Sequence, residues 1–146
     1  STMSITNKIL TNAEQSEENS NQLTDSALFA KTFADFKNAH IPICAFSVYD
    51  SDFTHCYGNR INDRAVLLRC FSLPSVTVIT AADGILSDPA LRSRLVYRLY
   101  LSTNSYLMII FDSFAYETFK DENLKIISSM LDELKITLIQ QKAVNK

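Results

Sequence analysis

The sequence predicts an α+β domain, with a central, mostly antiparallel sheet of about five or six strands flanked by helices. Three observations predict it. Two strand-like stretches, RSRLVYRLYL and YLMIIF, are separated by the polar break at residues 102–105, a loop length that hairpins accept. A second pair, at 41–49 and 53–57, meets across Asp50, Ser51 and Asp52. Between and outside these pairs run stretches with helical apolar spacing, so helices are expected to cover a sheet built from local connections.

In chain order, Ser1 and Thr2 precede Met3, which is expected to be the native start. Residues 4–10 suit a short helical turn through Ile5 and Ile9, residues 11–24 are polar, acidic and without period, and we expect 1–24 as a flexible segment. The folded domain is expected over 25–142, with 143–146 as a tail. A hydroxyl or carboxylate among Thr24, Asp25 and Ser26 suits a helix start. Phe29, Phe33 and Phe36 then share one face, a stripe that reads as core. Asn38, Ala39 and His40 close the helix, and Pro42 sets an extended chain. After the first strand pair, Gly58 and Asn59 end the return strand, and 61–71 has helical spacing through Ile61, Ala65 and Leu68. Residues 76–80 form a short β-branched strand. Asp83 and Gly84, then Ser87, Asp88 and Pro89, predict a turn followed by a short helix.

The alternation of Leu95, Tyr97, Leu99 and Leu101 with Val96, Arg98 and Tyr100 is the period of a strand with two different faces. Residues 106–111 are continuously apolar, as in a central strand covered on both sides. From Glu117 the chain is helical, with Thr118 as the expected cap and Asp121 and Glu122 complementing the helix dipole. Leu124, Ile127, Leu131, Leu134 and Leu138 draw one seam. Ile126, Met130, Ile136 and Ile139 widen the apolar surface beyond one sheet contact. We therefore expect a dimer or partner interface at Ile126, Met130, Leu131, Leu138 and Ile139.

Composition limits the function classes. At 146 residues, 47% hydrophobic and 21% charged, the chain suits one soluble domain with its own core. A formal charge of −2 with scattered basic residues gives no field for nucleic acid. No apolar run approaches the roughly 20 residues of a membrane span, and no signal-peptide pattern is present, so the cytoplasm is the expected location. Cys44, Cys56 and Cys70 lack CxxC spacing and read as buried free thiols. With only Gly58 and Gly84, neither glycine-rich phosphate loop can be written. No metal, cofactor or catalytic constellation is expected.

Three passages carry a family resemblance: VTVITAADGILSDPALRSRLVYRLYL, YLMIIFDS and AYETFKDENLKIISSMLDELKITLIQQ. Together they resemble the GAF family of small-molecule sensor domains, within the PAS, GAF and profilin-like superclass. The likeness covers about residues 28–141, and before Val76 it is one of element order alone. Glycines usual between the last strands of that family are missing from 102–105. Cys56 beside His55 lacks the surroundings of bilin-binding members. Phe119, Asp121 and Glu122 match only the end of the cyclic-nucleotide pattern. Neither ligand class is carried over.

The resemblance implies a non-catalytic sensory or regulatory domain of a signalling or transcription-regulating protein. It would bind a small ligand, dimerise through terminal helices, or both, and would act on a carboxy-terminal output domain or a partner protein. Tyr49, His55, Tyr57, Arg64 and Asp83 lie near predicted strand ends and are the candidate ligand contacts. One alternative is an interaction scaffold of PAS, roadblock or longin type, its interior filled by side chains. Another is a small redox enzyme using Cys56 or Cys44, although His55 and Cys56, as strand neighbours, would face opposite ways.

Overall fold

The structure, a computed structural model, describes residues 24–144 and a two-residue parallel bridge between Ile9–Leu10 and Asn12–Ala13. The flexible segment expected at 1–24 lies almost entirely outside the described residues. The domain elements are α1 (Asp25–Asn38), β1 (Ala45–Asp50), β2 (His55–Gly58), α2 (Arg64–Ser72), β3 (Val76–Thr80), β4 (Ser93–Tyr100), β5 (Tyr106–Ser113) and α3 (Asp121–Val144). Five strands form one sheet in the order β2-β1-β5-β4-β3, with every neighbouring pair antiparallel. This is the α+β architecture that the sequence predicts.

Local chemistry sets most boundaries. Thr24 caps α1, its hydroxyl accepting from the Ala27 amide at 3.1 Å. Asp63 caps α2 by accepting from the amides of Ala65 and Val66, which places that helix start at Arg64 and not at the expected Ile61. The β1–β2 turn closes on Asp50, whose Oδ1 accepts from the amides of Asp52 and Thr54. Phe53 there takes a left-handed backbone, φ 67°, a strain offset by its ring packing 4.4 Å from that of Phe71. Gly58, at φ 81°, lies where a Cβ would collide with the Phe46 carbonyl.

Three expectations are corrected. No helix follows Asp88 and Pro89: the Asp88 carboxylate accepts from the Ala90 amide and its carbonyl from Leu91, closing a turn. Only Arg92 then remains before β4, and the one short helix of this connection is a 3₁₀ turn at Ala81–Asp83. Thr118 does not cap α3, because its buried hydroxyl bonds the Ser113 hydroxyl at 2.7 Å; the helix begins at Asp121, not at Glu117, and extends into the expected tail as far as Val144. Residues 41–44 precede the first strand, yet Ile41 and Ile43 still turn into the core.

The two faces of the sheet are covered unequally. Leu107, Ile109 and Phe111 of β5 join Phe46, Val48, Leu95 and Leu99 under α1 and α3, while Met108 and Ile110 join Tyr49 and Val96 under α2. The first layer is filled by side chains such as Phe36, Phe46, Phe111, Ile127 and Leu131, none more than 1% exposed, each contributing about 1.5–3 kcal/mol by burial. The face under the nine-residue α2 carries charge as well. Arg98 reaches from β4 to the carbonyls of Phe71 and Leu73 at 2.6 and 2.7 Å. It thereby satisfies carbonyls that the end of α2 leaves free.

Candidate functional site

The five predicted ligand residues do not converge. Tyr49 lies buried under α2, its hydroxyl accepting from the Ile61 amide at 2.8 Å. His55 stands edge-on to that ring, its Nε2 beside the carbonyls of Gly58 and Asn59. Tyr57 packs on the opposite layer against Phe29 and Phe46. Its departure from simple alternation follows the irregularity in β1–β2 pairing at Val48 and Tyr49. Arg64 is exposed at the first turn of α2, and Asp83 accepts from the Thr80 amide at 2.8 Å. Each is occupied by local structure or stands alone.

A cavity of about 430 Å³ opens instead under the amino-terminal half of α2, a volume within the range of small-molecule sites. Its walls include Arg60, Ile61, Asp63, Val66 and Leu91, with the exposed ring of Phe114 at the rim. On its floor Arg94 and Asp112, directly opposed on β4 and β5, form a bidentate pair at 2.6 and 3.0 Å. Burial pulls the Arg94 guanidinium downward, but the hydrogen bond and charge of Asp112 more than offset this and hold it above the ordinary arginine value. The guanidinium stays charged. The pair's signal in the sequence is a charged residue at an inward position of each of two apolar strands, which periodicity alone reads as a solvated edge.

The predicted helical interface is divided by burial. Leu131 and Leu138 are 0% and 2% exposed and belong to the core. Ile126 and Met130 are half-buried against the same core, and Met130 borders the groove between α3 and α1. The second partner of the wide apolar seam is therefore α1 of the same chain. Only Ile139, 39% exposed, joins Ile136 on the outer surface.

The cysteines are not uniformly buried as expected: Cys70 is buried, Cys56 half-buried and Cys44 exposed. Desolvation nevertheless pushes all three thiols above their usual value, with Asp112 adding to Cys44 and Cys70 and Asp50 to Cys56. Reaction of the folded protein with a thiol-specific disulfide reagent near neutral pH is expected to be slower than that of a free cysteine, since the thiolate is the nucleophile. Fast labelling of Cys44 or Cys56 would restore the redox reading. Because the folded state holds these protons more tightly, stability is retained below the ordinary thiol pKa and declines as alkaline pH is approached. Among the described residues no group of His, Cys, Asp or Glu is arranged to hold a metal, and no helix is long and apolar enough to cross a membrane.

The remaining feature is the edge of the sheet at β3. The Ser75 carbonyl accepts from the Arg98 amide and the Ala81 amide donates to the Arg92 carbonyl. By the alternation of an antiparallel ladder, odd-numbered residues between them bond inward to β4, and Val76, Val78 and Thr80 turn their backbone groups outward. The strand VTVIT has no charge, proline or bulge, devices that blunt free edges. Val76 is 48% exposed. The opposite edge, β2, has four residues and an irregular ladder. Its β-branched composition marked 76–80 as a strand, but nothing local to it marked an edge.

No family model, curated protein or solved structure matches this chain.

Proposed function

We propose that this chain is a non-catalytic protein–protein interaction domain, a scaffold of the roadblock or longin kind, which self-associates by adding a strand to its β3 edge. The observation that carries the reading is an edge strand, VTVIT, without charge, proline or bulge of its own, with an exposed valine and no further strand beside it among the described residues. Main-chain bonds across such an edge supply affinity, and the flanking side chains supply selectivity. The filled layer beneath α1 and α3 supports assembly over enclosure of a ligand, and the α3 seam is spent within the chain.

Light scattering of the purified domain at high micromolar concentration tests this. A dimer is expected. Val76→Lys places a charge at the exposed edge without entering the core, and is expected to give a monomer with unchanged far-ultraviolet circular dichroism. A monomeric parent chain, or a dimer indifferent to Val76→Lys, overturns the edge reading. A second reading, a ligand-binding regulatory domain of GAF-like type, draws on the cavity above Arg94 and Asp112. A thermal shift with a metabolite library, absent when Phe114 and Arg60 are both replaced by alanine, would favour it.

A further inference from the structure

We infer that Asp83 and Pro74 fix the register in which two copies of this chain pair along β3, with the two-fold axis at Thr77. The inference rests on the edge-pairing reading. Isologous antiparallel pairing in which both Val76 and Val78 face an outward-turned residue between Pro74 and Thr80 leaves three choices, with the axis at Val76, at Thr77 or at Val78.

The ends of the edge are already closed. Thr80 turns outward, but its amide donates to Asp83 Oδ2 at 2.8 Å. Pro74 has no amide to offer, and its carbonyl accepts from the Thr77 hydroxyl at 2.9 Å. Between these closed ends stand Val76 and Val78, each with an outward amide and carbonyl.

With the axis at Thr77, Val76 of one copy faces Val78 of the other and the two exchange both bonds, twice over by symmetry. Pro74 then faces Thr80, so the engaged carbonyl meets the engaged amide, and the Thr80 carbonyl, opposite the donorless Pro74 nitrogen, is left to solvent at the end of the ladder. With the axis at Val78, Val76 faces Thr80 and its carbonyl meets an amide that Asp83 holds. With the axis at Val76, Val78 faces Pro74, so its carbonyl has no donor. Only the Thr77 axis gives both open residues complete partners, and an unmade bond within a ladder is costly. A second copy of the chain, with the same two open residues between the same closed ends, complements the pattern.

Disulfide trapping reads the register directly, because opposed residues in a hydrogen-bonded pair lie about 5.5 Å apart at Cα and residues displaced by two lie beyond disulfide reach. Chains carrying Val76→Cys or Val78→Cys are oxidised separately and as a mixture, with the parent chain setting the background from its own three cysteines. Covalent dimer above background is expected only in the mixture. Asp83→Ala frees the Thr80 amide to meet the Val76 carbonyl, and in combination with Val78→Cys it is expected to raise self cross-linking well above that of Val78→Cys alone. Self cross-linking of either single variant with Asp83 intact overturns the register, as does a light-scattering dimer that gives no cross-link in the mixture. A monomeric parent chain instead removes the edge-pairing reading itself, and the register with it.

Discussion

Replacing Asp112 by alanine is expected to destabilise the domain by about 3–5 kcal/mol, the range for removing one partner of a buried ion pair. Arg94 and Asp112 have side chains only 11% and 13% exposed. Without its acceptor, the guanidinium remains charged beneath α2 and lacks the bidentate partner that offsets its desolvation. For a chain of this length the thermal midpoint should fall by roughly 10 °C or more. The double replacement Arg94→Leu with Asp112→Leu removes the uncompensated charge and is expected to recover most of that loss. Thermal unfolding of the two variants checks the account. A single Asp112→Ala variant as stable as the parent would mean that solvent entering through the cavity already hydrates the pair.

Replacing Leu131 by alanine is the second large effect, expected to cost roughly 2–5 kcal/mol. Leu131 is fully buried at the centre of α3, in the layer shared with Phe36, Phe111 and Ile127. The transfer free energy of the lost methyl and methylene groups adds to that of a cavity which neighbours in a packed layer close only partly. Ile139→Ala, on the outer surface of the same helix, is expected to change stability by less than about 1 kcal/mol. Denaturant unfolding separates the two positions. Equal losses at both would require that Ile139 be covered in solution by a second molecule, and would return α3 to consideration as an interface.

The contrast between these positions shows what spacing can reveal. The seam through Leu124, Ile127, Leu131, Leu134 and Leu138 is legible because a helix imposes its period on the residues it buries. The width of the apolar surface was legible too. Its partner was not, because α1 meets α3 only after nearly the whole sheet has been built between them. The predicted ligand residues are dispersed for a related reason. Nearness to strand ends placed Tyr49, His55, Tyr57, Arg64 and Asp83 in one region, but pleat, the β1–β2 irregularity and local capping divide them among two faces and two turns.

The sequence by itself determined the order of the five strands and three long helices, the two hairpins, a cap for α1 among residues 24–26, and the apolar stripes of α1 and α3. These follow from periods and turn chemistry acting over a few residues. Tertiary structure alone decided that β3 lies at an edge, that Arg94 meets Asp112, and that the Thr80 amide held by Asp83 faces away from the sheet. Each depends on which strand lies beside which. Strand order is set by the packing of non-local layers, whose contacts are far apart in the chain and leave no period within it.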